Sequence, residues 1–334
     1  MRAIVIERYG GPEVLQLRDD VSRPIAGPGE VLVMVAYAGI NFMDILTRQG
    51  RYANSPIYPV RLPCTMGMEG SGEVVAVGEG VQHLSIGDRV AWCIAWGSHA
   101  EYALIPAALC ARLPDAISYD LAAASMFQGC TAHYLIGDVA KLHGGSTCLI
   151  HAASGGIAQL LVQMAKRLGA TVFTTASTPE KRAVAIACGA DHAMPYDNGA
   201  FADAVRAATG GHGVDVVFDA VGKSTLRDSF RATRTCGLVV NYGAVSGMLR
   251  DLDPSELGDA GSLYLTRPRL ADHMADAATV QRRADDVFAA LQEGALRVVV
   301  AERYTLGNAH DGLARIEGRQ QIGKAVVSIG PARP

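Results

Sequence analysis

The run 147–175, TCLIHAASGGIAQLLVQMAKRLGATVFTT, constrains the fold more than any other part of the chain. An apolar β-branched strand enters a glycine-containing turn, a helix follows with apolar residues at helical spacing, and a second apolar strand closes the unit. Two parallel strands cannot be joined by a tight turn, so this order implies a βαβ crossover. The alternation then repeats. A strand at 170–177 precedes a helix at 178–189, with Thr178 placed as N-cap and Pro179 at the first helical position. A short strand at 191–196, a helix at 200–210, a strand at 214–222, a helix at 224–234 and a strand at 237–243 complete the series. Such a sequence predicts a doubly wound parallel sheet covered by helices on both faces.

The first third reads differently. AIVIE, EVLVMVAYAGI, GSGEVVAVGEGV and GDRVAW are β-rich runs punctuated by Gly, Pro and Asp, and no helix of length is needed before about residue 119. This predicts a mainly antiparallel, partly closed β domain. The tail offers a helix, ADDVFAALQEGAL, and a strand near GRQQIGKAVVSIG. It is too short to stand alone and is expected to complete the N-terminal domain. The expected division is residues 1–124 with 269–334 in one domain and 125–268 in the other.

Composition narrows the class of function. With 30 Lys and Arg against 33 Asp and Glu, the formal charge of −3 gives no electrostatic case for nucleic acid or a membrane surface. No apolar run reaches membrane-spanning length, and MRAIVIERYG is too soon charged for a secretory signal, so the cytoplasm is the expected compartment. The seven cysteines are odd in number and scattered, and none form CxxC. That argues against a disulfide framework and against a clustered metal site.

The loop HAASGGIA decides the ligand. In the dinucleotide fingerprint G-x-G-x-x-G/A the three marked positions make a tight turn, admit the pyrophosphate close to the backbone, and pack helix on strand. Ala153, Gly155 and Ala158 take those places. Ala153, Ser154, Gly155, Gly156 and Ile157 are therefore the expected pyrophosphate-binding residues, the alternative being a glycine-rich βα turn without a ligand. An NAD-binding chain usually ends its next strand with Asp or Glu on the ribose 2′-hydroxyl. Here Thr174, Thr175, Ala176 and Ser177 are followed by Lys181 and Arg182. A hydroxyl and a cation suit a 2′-phosphate, so the cofactor expected is NADP(H). The alternative for Lys181 is a solvated helix lysine.

With these pieces in place the chain resembles the medium-chain dehydrogenase/reductase superfamily and, within it, the zinc-free quinone oxidoreductases that include the zeta-crystallin-like proteins. The segments carrying the resemblance are GPEVLQL, AGINFMDILTRQGRY, MGMEGSGEVVAVGEGV, GDRV, AAASMFQGCTAHYL, HAASGGIAQ, GSLYLTRP and GRQQIGKAVV, in that order along essentially the whole chain. The resemblance implies a GroES-like catalytic domain beside the Rossmann domain. Zinc enzymes of the superfamily place a cysteine and a histidine where this chain has Asn41 and Met68; Glu69 remains, and one carboxylate does not make a three-ligand site. The four-cysteine structural zinc lobe is absent too, so no metal is expected.

Residue by residue, the resemblance implies that Asn41 lies close to the nicotinamide with Asp44 as its partner. It implies that Tyr52 is either a proton donor or a packing and gating aromatic. Gln128 and Thr131 match the segment bordering nicotinamide and pyrophosphate. Ser177, Lys181 and Tyr196 match positions around the 2′-phosphate, Asn241 the strand end facing the cofactor, and Arg319 a basic residue closing over it from the tail. Trp92 and Trp96 fall near the expected acceptor pocket, where they either narrow it or pack.

Without a Lewis acid to activate an alcohol, the natural chemistry is hydride delivery to an acceptor that is already electron-poor. The expected function is NADPH-dependent quinone reduction. The alternatives are reduction of α,β-unsaturated carbonyls or enoyl thioesters, and a crystallin-like or RNA-binding role with little turnover. The resemblance also implies a homodimer through the Rossmann sheet edge at GSLYLTRP (residues 261–268).

Overall fold

Valine- and isoleucine-rich runs broken by Gly and Asp turns give the N-terminal part its strands. The computed structural model describes residues 1–330. The chain divides into two units, Met1–Cys130 together with the segment from His273 onward, and Thr131–Asp272.

The N-terminal stretch supplies β1 (Ala3–Ile6), β2 (Gln16–Arg18), β3 (Glu30–Gly39), β4 (Cys64–Thr65), β5 (Glu69–Val77), β6 (Arg89–Cys93), β7 (Tyr102–Pro106) and β8 (Cys110–Arg112). Between β3 and β4 lies a short helix, α1 (Phe42–Arg48), and after β8 comes α2 (Tyr119–Tyr134). The second unit follows with β9 (Thr147–Ile150), α3 (Gly156–Arg167), β10 (Thr171–Thr175), α4 (Pro179–Ala187), β11 (His192–Met194), α5 (Ala200–Ala208), β12 (Val214–Asp219), α6 (Leu226–Ala232), β13 (Thr233–Asn241), α7 (Ser255–Asp259) and β14 (Tyr264–Thr266). The tail returns to the first unit with α8 (Ala277–Gln292), β15 (Val300–Thr305), α9 (Ala309–Glu317) and β16 (Lys324–Ser328).

In the first unit β3 is the hub. It pairs antiparallel with β5, β7 and β16 within the seven-stranded sheet, while β2-β1-β4 form a small second sheet. Val31, Val33, Val35, Val74, Val90, Ile105 and Val327 are all buried between these layers. The pairing of β16 with β3 has a consequence for the site. Val326 lies opposite Gly39, and the Ile40 amide donates to the Ala325 carbonyl at 3.0 Å, so Lys324 arrives beside Asn41. Two features exceed the sequence reading of this unit: α1, only seven residues long, and the parallel strand β15 with its helix α9.

The second unit has strand order β11-β10-β9-β12-β13-β14, every pair parallel. The direction of winding reverses between β9 and β12, which is where an open α/β sheet leaves its ligand crevice. The helices start where expected. Thr178 accepts from the Lys181 amide and Pro179 stands in the first turn, a cap contributing about 1 kcal/mol. Helix α3 buries Ala158, Leu161, Val162 and Ala165 and ends at Gly169, whose φ of +81° takes the left-handed position there. Leu149, Phe173, Phe201, Val217, Phe230 and Val239 form the core. Among the described residues no helix is long and apolar enough to cross a membrane.

Candidate active site

In the first unit the site begins at the end of β3. An added Cβ on Gly39 would lie 2.3 Å from Glu69 Oε2 and 2.5 Å from the Ala123 carbonyl, so the strand end must be glycine. Asn41 follows as the N-cap of α1, and its backbone amide donates to Asp44 Oδ2 at 2.8 Å. The Asn41 side chain has further partners. Its Nδ2 donates to Glu69 Oε2 at 2.9 Å and lies 3.5 Å from Met68 Sδ, while its Oδ1 accepts from Lys324 Nζ at 2.6 Å. Lys324 Nζ also donates to Glu69 Oε2 at 2.7 Å, and Glu69 Oε1 accepts from the Phe127 amide at 2.6 Å. All four of Asn41, Asp44, Glu69 and Lys324 are buried. Burial pushes the Asp44 carboxyl up to about 7, against the opposing pull of the Asn41 amide and the Lys324 charge. Its Oδ1 has no protein partner.

Tyr52 follows α1 in the chain. It lies beyond α1 in an aromatic group with Tyr58, at 5.8 Å between ring centroids, and with Trp96, at 6.3 Å. Trp96 is anchored by its indole N–H to Thr47 Oγ1 at 3.2 Å. The two tryptophans therefore separate. Trp96 is half-buried beside Tyr52, whereas Trp92 is fully buried on β6, packed where Gly70 has no side chain. Trp92 is a core residue, not a wall of a pocket shared with Trp96.

In the second unit the loop after β9 sits at the reversal of the sheet. The Ala153 amide donates to the Thr175 carbonyl and the Gly155 amide to the Ala152 carbonyl, closing a tight turn. The positive φ of that turn, 56°, falls on Ala152, while Ala153 keeps an ordinary backbone. This explains why alanine is tolerated at the fingerprint's first position. Gly155 has φ −74°, and an added Cβ would meet only the Ala152 carbonyl, at 3.2 Å. Within the chain that is a single tight contact, and any stricter demand for glycine comes from what approaches the loop. The first turn of α3 presents backbone amides that a helix leaves without intrahelical partners.

Tyr196 joins this loop, because its hydroxyl accepts from the Ala152 amide at 3.0 Å. His151, at the loop's start, is missing from the sequence reading. It lies within 2.6 Å of Thr175 Oγ1 through Nδ1 and 3.0 Å of Ser229 Oγ through Nε2, and Ser229 donates to Asp219 at 2.9 Å. Burial holds His151 below its usual range, and its ring joins the ends of β9 and β10 to Ser229 on α6. At the end of β10, Ser177 is exposed and Lys181 half-buried in the first turn of α4.

Asn241 ends β13 with its carboxamide already engaged. Nδ2 donates to the carbonyls of Asp219 and Gly243, and Oδ1 accepts from Arg267. Gln128 is half-buried and Thr131 buried on α2; Arg319 is exposed just beyond α9. Lys324 is the functional candidate that sequence reasoning missed, since GKAVV reads as an ordinary strand with a solvated lysine. Among the described residues no group of three or more His, Cys, Asp or Glu could hold a metal ion.

Comparison with known proteins places both units. Residues 27–115 match the family model described as alcohol dehydrogenase GroES-like domain, and residues 156–266 match the one described as zinc-binding dehydrogenase. The chain is 36% identical to a quinone oxidoreductase of Pseudomonas aeruginosa, covering 98% of this chain and 99% of that one. It is 36% identical to a 2-haloacrylate reductase of a Burkholderia species, covering 97% and 98%. Among solved structures, the Escherichia coli quinone oxidoreductase complexed with NADPH superposes with a TM-score of 0.91 at 33% identity, covering 98% of this chain and 100% of that one.

Proposed function

Since the chain belongs to the quinone oxidoreductase family of the medium-chain dehydrogenase/reductase superfamily, we propose that it reduces quinones with NADPH, by hydride transfer and without zinc. The observation that carries this reading is the full-length match to quinone oxidoreductases, one of them solved with NADPH. The cofactor is NADP(H), and it supplies the hydride.

The remaining work falls to this chain's own side chains. The amides of Gly155, Gly156 and Ile157 at the start of α3 receive the pyrophosphate. Tyr196 steadies that loop through the Ala152 amide. Ser177 and Lys181 take the 2′-phosphate, and Arg319, Gln128, Thr131 and Asn241 complete the cofactor's surroundings. Asn41 orients the nicotinamide, with Asp44 holding the turn that presents it. Tyr52, Tyr58 and Trp96 offer ring faces and edges to a flat acceptor. As the oxyanion forms on the acceptor, hydrogen-bond donors suffice to hold it.

The donor set argues against zinc despite the name of one family model. Asn41, Met68, Glu69 and Lys324 provide one carboxylate and one ammonium, not three anionic or imidazole ligands. A second reading, reduction of an activated carbon–carbon double bond, is favoured by the Burkholderia relative. The protein acts in the cytoplasm as a homodimer, on a small-molecule acceptor. A panel of 1,4-naphthoquinone, simple enones and enoyl-CoA esters with NADPH distinguishes the readings. Quinone should be the best acceptor; turnover of an enone alone would favour the second.

A further inference from the structure

An N-cap asparagine ordinarily turns its side-chain oxygen back onto the first amides of the helix. At Asn41, the N-cap of α1, the carboxamide has two further partners. Its Oδ1 is given to the Lys324 ammonium and its Nδ2 to Glu69. The Lys324 and Glu69 side chains are 2% and 0% exposed. Removing two charges from water costs more than their attraction generally returns, and an apolar pair of like volume often makes an equally stable core. Stability alone is therefore a poor reason for this pair. The surroundings are those of a cation site. A carboxylate oxygen and a carboxamide oxygen converge on one positive charge where β3, β5 and β16 meet, with the Met68 thioether against Asn41.

We propose that Lys324 is the built-in cation of this site. Its ammonium fills the space a divalent metal would need, and it locks the Asn41 carboxamide with Nδ2 toward Glu69. It is a positioning residue, acting through Asn41 and Glu69. The positioning half rests on the reductase reading above; the exclusion of metal does not.

Two measurements test the proposal. Asn41→Cys with Met68→His places a thiolate and an imidazole beside Glu69, a donor set zinc accepts. Zinc is titrated against a chromophoric chelator in this double variant, with and without Lys324→Met. Zinc should bind at least about tenfold more tightly once the ammonium is gone, because two like charges no longer compete for one cage. Equal affinity with and without the lysine, including none in either, overturns the exclusion of metal. The second measurement leaves no buried charge behind. In Lys324→Met/Glu69→Gln, NADPH affinity and the KM for 1,4-naphthoquinone should stay within about twofold of the parent while kcat falls at least about tenfold. An unchanged kcat and pH profile overturn the positioning role. If the parent chain oxidises no NADPH with any quinone, the reductase reading and the positioning role fail together, and the zinc titration alone decides the cation.

Discussion

Asp44 is buried beside the proposed nicotinamide residue Asn41. Its carboxyl, lifted to about 7 mainly by loss of hydration, retains a proton that the unfolded chain releases near pH 4. Between those values the unfolded state binds fewer protons, so this residue's contribution to stability falls as pH rises from about 4 to about 7 and is flat above. Asp44→Asn keeps an oxygen for the Asn41 amide without the ionisation. Its melting temperature should gain on the parent's across that window, and parallel curves would remove the assignment. Lys181 is the residue proposed to set cofactor choice. Direct titration should show NADPH bound at least about tenfold more tightly than NADH, roughly 1.4 kcal/mol, and Lys181→Ala should erase much of the gap. Equal affinities in the parent would refute the 2′-phosphate role. Tyr52 stands in an aromatic group with Tyr58 and Trp96. An enolate carbon needs a proton and a placed donor helps by about 10²–10⁴-fold, whereas a reduced quinone gains aromaticity and takes protons from water. Tyr52→Phe should therefore slow an enone markedly and barely change naphthoquinone turnover. If both slow alike, the tyrosine organises the pocket and donates no proton.

Among the elements, β14 has a bare side. Among the described residues it pairs with β13 alone, with Leu263 buried before it and Tyr264 65% exposed. A sheet edge of this kind tends to pair. Light scattering at micromolar concentration should give a dimer, and Tyr264→Arg with Leu265→Arg should shift it toward monomer; a monomeric parent protein would count against the edge. The elements legible in the sequence were those with local signals. Helix α4 carries its own cap in Thr178 and Pro179, and α3 its own glycine stop. Helix α1 was not legible, because its seven residues are held by distant partners, including the Arg48 guanidinium on Glu317 at 2.8 Å. Strand β15 was hidden for a related reason: its burial alternates only weakly, and its place is fixed by β16. The site shows the same contrast. Asn41, Glu69 and the loop at 153–157 could be found from motifs, whereas Lys324 comes to Asn41 from 283 residues away through the pairing of β16 with β3. No local pattern encodes that approach.

At the scale of the whole molecule, each unit carries one share of the chemistry. The parallel sheet brings loop ends together at its reversal, where His151, Tyr196 and the start of α3 frame the proposed cofactor site. The antiparallel unit buries a charged cluster at the end of β3 and sets an aromatic group beyond it. The central claim is hydride transfer from NADPH to a quinone, and one measurement tests it most directly. Single-turnover stopped-flow follows NADPH oxidation by 1,4-naphthoquinone, with deuterium placed in turn at each of the two C4 positions of the nicotinamide. The account predicts stoichiometric oxidation, slowed by deuterium at one of the two positions only. Oxidation no faster than the protein-free blank, under conditions where NADPH is bound, would contradict it.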